Sequence, residues 1–224
     1  NSQSMTLDPQ VIRFLQQLKH NNSREWFEAH RPEYEKNRKT VQTFVAELLA
    51  QLSELDNRIG DLQPKDCLFR IHRDVRFSKN KAPYKTNFGA SIKPGGRKTR
   101  WAGYYLHIAP EGESFLGGGV YMPASEHLAK IRQEIDYCGN ELRQILQEKQ
   151  FKATFGELQG EQLKTAPKGY PKDHEHIDLL RYKSLVVFQS LSDNDLTTTS
   201  PEEMKERFAV MQPLLDFLNR ALEE

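Results

Sequence analysis

The chain has 224 residues, 37% of them apolar and 28% charged, a balance that fits a folded soluble protein and argues against a disordered one. Its longest apolar runs span only a few residues, so no membrane-spanning helix is expected, and no basic-then-apolar leader pattern is seen at the start. The formal net charge of +1 conceals an asymmetry: positions 65–100 hold eleven Lys/Arg against Asp66 and Asp74, a net of +9, and the rest of the chain carries −8.

Residues 1–7 are expected to be a disordered tail or a leftover of cloning, followed by a single domain over 8–224. Asp8-Pro9 opens a helix with Val11, Phe14, Leu15 and Leu18 on its buried stripe. Asn22-Ser23-Arg24-Glu25 reads as a capping box with Asn22 in the cap. The helix it starts should end near Arg31, because Pro32 disfavours helical geometry in the residue before it. A longer helix follows, with Val41, Phe44, Val45, Leu48, Leu49, Leu52 and Leu55 at helical spacing.

The middle of the chain reads as strands at 67–77, 85–92, 101–109 and 114–122, joined by short turns that favour antiparallel neighbours. Gly117-Gly118-Gly119 inside the last of these predicts a bulge or the close approach of another group. A long helix is predicted over 125–149, a buried strand at 185–188, and a final helix opened by Ser200-Pro201-Glu202-Glu203 and interrupted at Pro213. The predicted fold class is α+β, a central antiparallel sheet flanked by N-terminal, middle and C-terminal helices.

The 67–77 segment carries the chemical signal. Strand alternation sets Leu68, Arg70, His72, Asp74 and Arg76 on one face and Phe69, Ile71, Val75 and Phe77 on the other, with Arg73 the exception. Arginine forks suit phosphate or carboxylate and stay charged at any working pH. The turn after them adds Lys79, Lys81 and Lys85, and backbone amides in such a turn can cradle an anion. The candidate ligand-binding set is Arg70, Arg73, Arg76, Lys79, Lys81, Tyr84, Lys85 and Asn87, with Arg24 and Lys168 completing the rim. Asp74 and His174 are the candidate proton-transfer groups if chemistry occurs there. The competing possibility is an internal ion-pair ladder.

Known catalytic signatures are absent. The sequence has no G-x-x-x-x-G-K-[ST] loop, no H-E-x-x-H pair and no G-x-S-x-G elbow. Asp173-His174-Glu175-His176 is the densest run of potential metal ligands, but it lacks a clear third ligand, and no metal is assigned. The sequence does not say whether a cofactor is used or whether the protein is an enzyme. Cys67 and Cys138 form no C-x-x-C, which favours a reducing cytoplasm. A small phosphorylated or carboxylated ligand is the leading partner. The alternatives are nucleic acid on the whole 65–100 segment, with Tyr84, Tyr104 or Trp101 stacking on bases, and an acidic protein docked on the same basic surface.

Several ordered motifs resemble the family catalogued as domain of unknown function 2461. They are Asn21-Asn22-x-Arg24-Glu25-Trp26-Phe27 and Arg70-x-x-Arg73-Asp74-x-Arg76-Phe77-Ser78-Lys79-x-Lys81-x-Pro83-Tyr84-Lys85-x-Asn87. To these are added Tyr104-Tyr105-Leu106-His107, Gly117-Gly118-Gly119-Val120-Tyr121-x-Pro123, and Ala166-Pro167-Lys168-Gly169-Tyr170 with Asp173-His174. The likeness runs from about residue 8 to 220, departing at Asn80, where an acidic residue is the more frequent expectation. The resemblance implies a single cytosolic α+β domain and supplies no reaction, substrate or catalytic residue.

Overall fold

A computed structural model describes residues 5–223, so most of the expected tail, 1–4, lies outside the described residues. Within the expected tail Leu7 is buried. In chain order the elements are α1 (Gln10–His20), α2 (Arg24–Ala29), α3 (Arg31–Leu55), α4 (Pro64–Cys67), β1 (Phe88–Ile92), β2 (Gly103–Ile108) and β3 (Ser114–Val120). They continue with α5 (Ser125–Gln147), α6 (Lys149–Phe155), α7 (Ile177–Leu180), β4 (Leu185–Leu191), α8 (Asp193–Thr198), α9 (Pro201–Val210) and α10 (Gln212–Leu222). The class is α+β: the four strands form one antiparallel sheet in the order β1-β2-β3-β4.

The chain divides into two compact units, one of Asn1–Arg97, Tyr105–Leu116 and Ser190–Glu206, the other of Lys98–Tyr104, Gly117–Gln189 and Arg207–Glu224. In the first unit α3 is the central helix. α1, α2, α4 and β1 pack on it, and Val41, Phe44, Val45, Leu48 and Leu52 are buried at its contact face. Pro32 sits in the first turn of α3, where its missing N–H costs nothing, and the break between the helices falls at His30, with Arg31 already the first residue of α3. The β2–β3 hairpin turns through Glu111 and Gly112, both left-handed at φ 61° and 71°. That is the twist two-residue hairpins favour, and Lys19 of α1 clamps the turn by donating to Glu111 at 2.7 Å.

The second unit is built on α5 packed against α10. Arg220 of α10 donates to Glu134 at 2.9 Å and to Glu141 at 2.6 Å on α5. Asn219 reaches the backbone of Ala102, accepting from its N–H at 2.8 Å and donating to its carbonyl at 3.3 Å. α5 kinks at Cys138, next to Gly139, where a Cβ would collide with the buried ring of His176. The sequence pattern predicted one long helix over 125–149; α5 instead ends at Gln147 and is kinked at Cys138. The glycine run behaves as expected: a side chain at Gly118 would meet Met211 Sδ, and one at Gly119 (φ +120°) the Leu185 carbonyl. The helix predicted to be disturbed by Pro213 is two helices, divided at Met211.

Candidate ligand-binding face

The segment after α4 is not the strand its alternation suggests. It makes only two isolated bridges, Leu68↔Ala90 and His72↔Tyr84. Between them Phe69 N–H donates to Gly89 O at 3.0 Å and Lys85 N–H to Ile71 O at 2.7 Å, and the last such bond runs from Arg73 N–H to Pro83 O at 2.9 Å. Pro83 has no N–H to return, so the pairing stops there. Beyond it Asp74 Oδ1 accepts from the Arg76 N–H at 3.3 Å, a side-chain turn that bends the chain away. Phe77, predicted on the apolar face, is 94% exposed.

Tyr84 anchors this region. Its backbone is clasped by Asn22, whose Nδ2 donates to Tyr84 O at 2.9 Å and whose Oδ1 accepts from Tyr84 N–H at 3.1 Å. Its ring stacks on Phe27 at 4.1 Å and is 4% exposed. Tyr84 is therefore core and not rim, and burial pushes its hydroxyl pKa up. The capping expectation at α2 shifts by one residue for the same reason: Ser23 Oγ accepts from Trp26 N–H at 3.2 Å, leaving Asn22 free to hold Tyr84.

The cations of the turn are largely occupied by the turn itself. Arg73 donates to Asn80 O at 3.1 Å, Ala82 O at 2.8 Å and Ser78 Oγ at 3.3 Å. Lys81 Nζ donates to Val75 O at 2.7 Å. Arg76 pairs bidentately with Asp74, at 3.0 and 2.8 Å, on the exposed surface. The Arg76 guanidinium, with its backbone N–H and then Arg70, holds the Asp74 carboxyl below the usual carboxylate range. Asp74 is thus a firmly ionised, arginine-bound carboxylate and a weak proton acceptor. Lys79 is exposed and has no ion-pair partner among the described residues.

A second group of cations is arranged differently. Lys85 Nζ donates to Arg70 O at 2.8 Å and sits over the Phe69 ring at 5.4 Å. Burial, then the neighbouring charges of Arg70 and Arg97, push its pKa down. Arg97 donates to Lys65 O at 3.1 Å, and no carboxylate pairs with Arg70, Lys85 or Arg97 among the described residues. These like charges gather beside a row of rings. Phe69 lies 6.5 Å from Tyr105, Tyr105 lies 5.6 Å from Phe115, and His107 stacks on Phe115 at 4.7 Å. Phe69 is 37% exposed and the other three rings are partly exposed. Gly89 makes room for the row: a Cβ there would strike the Tyr105 hydroxyl, which bonds His107 Nδ1 at 2.8 Å. Burial lowers the His107 pKa, partly offset by Glu113.

The family model described as conserved hypothetical protein (DUF2461) matches residues 10–217, nearly the whole chain. The chain belongs to the DUF2461 family. No curated protein and no solved structure matches it.

In this DUF2461 member the ring row was not anticipated by the sequence pattern, which named Tyr104 and not Tyr105 for stacking. Tyr104, a predicted stacking residue, is 1% exposed and packs on Phe208 at 5.3 Å, whereas its neighbour Tyr105 faces outward. A strand alternates its faces, and the burial of Leu106 and Ile108 fixes which tyrosine is inside. Of the remaining candidates, Arg24 is exposed and Asn87 half-buried, both in the first unit. Lys168 and His174 belong to the second unit. His174 Nε2 bonds Asp136 at 2.6 Å, and its Nδ1 accepts from the His176 N–H at 2.9 Å. Both ring nitrogens are engaged, in the tautomer that carries its proton on Nε2. Among the described residues no group of three or more His, Cys, Asp or Glu could hold a metal ion, and no helix is long and apolar enough to cross a membrane.

Proposed function

We propose that the first unit binds ligands with nucleotide chemistry, a phosphate group joined to a planar base. The observation that carries this is Lys85 over Phe69, with the charges of Arg70 and Arg97 acting on it and no carboxylate paired to any of the three among the described residues, beside the partly exposed Phe69–Tyr105–His107–Phe115 row. Phosphate oxygens would meet the cations, and a base would meet the rings, since stacking tolerates any base and contributes about 1–3 kcal/mol each. A small phosphorylated metabolite uses the same elements as a single nucleic-acid strand. An acidic protein would engage the cations and leave the rings idle. We also take the protein to be cytoplasmic, which its two free cysteines support; burial pushes the Cys67 thiol up to about 12.

Fluorescence anisotropy with a labelled six-nucleotide single strand, competed by mononucleotides, tests the reading. Binding should weaken with salt at a log–log slope near −2, about 0.7 for each of three neutralised phosphates. Lys85→Ala and Tyr105→Leu should each lower affinity about tenfold. Competition by mononucleotides at similar concentration would identify the small ligand as the natural one. Absence of binding at low salt, or indifference to both substitutions, refutes the proposal.

A further inference from the structure

The second unit contains a cleft of about 290 Å³ lined by Lys164, Thr165, Ala166, Lys172, Ile177 and Arg181. Half of those residues are cations, none is an acid, and none of the three cations is ion-paired among the described residues. Arg181 is fixed at the wall by a reciprocal clasp. Its Nε donates to Leu163 O at 2.7 Å, and its carbonyl accepts from the Leu163 N–H at 2.7 Å. The guanidinium terminus keeps its paired donors available for an oxyanion. The loop between Ala166 and Lys172 contains a turn in which Tyr170 N–H donates to Pro167 O at 3.2 Å and Gly169 adopts φ +94°. Lys168 lies on this loop but does not line the cleft.

A concave wall with three unneutralised cations concentrates positive potential. Ala166 and Ile177 add an apolar surface beside it. The volume falls just below the roughly 300 Å³ at which pockets for drug-sized ligands begin. We propose that this cleft is a second anion site, taking a small organic phosphate or carboxylate whose oxyanion meets Arg181, Lys172 and Lys164 and whose carbon skeleton lies against Ala166 and Ile177. The site is independent of the ring row of the first unit.

Titration calorimetry on the full chain with inorganic phosphate, phenyl phosphate and benzoate tests it. Phenyl phosphate should bind saturably in this cleft, more tightly than inorganic phosphate, whether or not it also meets the ring row. Lys172→Ala, an exposed residue whose loss should not disturb folding, should reduce that affinity about fivefold to tenfold. Arg181→Lys keeps the charge and removes the fork, and should do the same. In the Lys85→Ala background, where the first-unit site is weakened, the cleft binding should persist. No saturable binding of phenyl phosphate or benzoate overturns the proposal. So does binding that Lys172→Ala and Lys164→Ala leave intact, or that Lys85→Ala abolishes.

Discussion

Two neighbouring parts of one basic segment use their charge in opposite ways. In the 73–82 turn, Arg73 and Lys81 donate to carbonyls of the turn and Arg76 is held by Asp74, so the charge serves to close an irregular loop. Beside the sheet, Lys85 lies over Phe69 and feels the charges of Arg70 and Arg97, and no carboxylate pairs with any of the three among the described residues. Both regions look alike when cations are counted. Lys85 and Arg97 also donate to carbonyls, those of Arg70 and Lys65, so what sets the second group apart is the neighbouring like charge that pushes the Lys85 pKa down, which favours an anion there.

The largest expected effect breaks the turn. Arg73→Ala removes three charge-assisted donors from a partly buried loop and should destabilise the protein by about 2 kcal/mol in urea unfolding, with new protease cleavage between 76 and 82. Oligonucleotide affinity of the folded fraction should stay within about twofold of the parent, since phosphate contacts act through other residues. A loss as large as that of Lys85→Ala would erase the distinction between the two regions.

His107 offers a sharper, smaller test. Its folded pKa lies below the ordinary value of 6.5 because burial disfavours the charged ring. The unfolded chain then binds the extra proton first, so stability is full above pH 6.5 and declines as the pH falls below it, levelling off under the folded-state value. His107→Gln should flatten the His107 part of the melting-temperature profile between pH 7.5 and 5.5. An unchanged slope would mean the ring is not shielded by the row.

The smallest effect belongs to the exposed Asp74–Arg76 pair. Asp74→Asn should barely move the melting temperature, because solvent screens the pair. Removing one negative charge from the basic surface should raise oligonucleotide affinity by about twofold at low salt. A large loss of binding would instead make Asp74 part of the recognition apparatus.

The sequence pattern revealed features that depend on neighbours in the chain. Pro32 and Pro213 marked helix boundaries, and Gly117-Gly118-Gly119 announced a close approach that Met211 and Leu185 supply. It misled where the outcome depends on a distant partner. The alternation of 67–77 is real, but its partner strand runs into Pro83, so no ladder forms. Asn22 looked like a cap because nothing local shows that Tyr84, sixty-two positions on, needs its side chain. The ring row was hidden because Phe69, Tyr105 and Phe115 come from three segments. Tyr104 and Tyr105 differ only by a register that the burial of Leu106 and Ile108 decides.

Backbone amide chemical-shift mapping during titration with a six-nucleotide single strand tests the central claim most directly. The account predicts progressive, salt-sensitive shifts at Phe69, Arg70, Lys85, Gly89, Arg97, Tyr105, His107 and Phe115, with 76–82 nearly silent. Shifts confined to 76–82, or none at low salt, would contradict it.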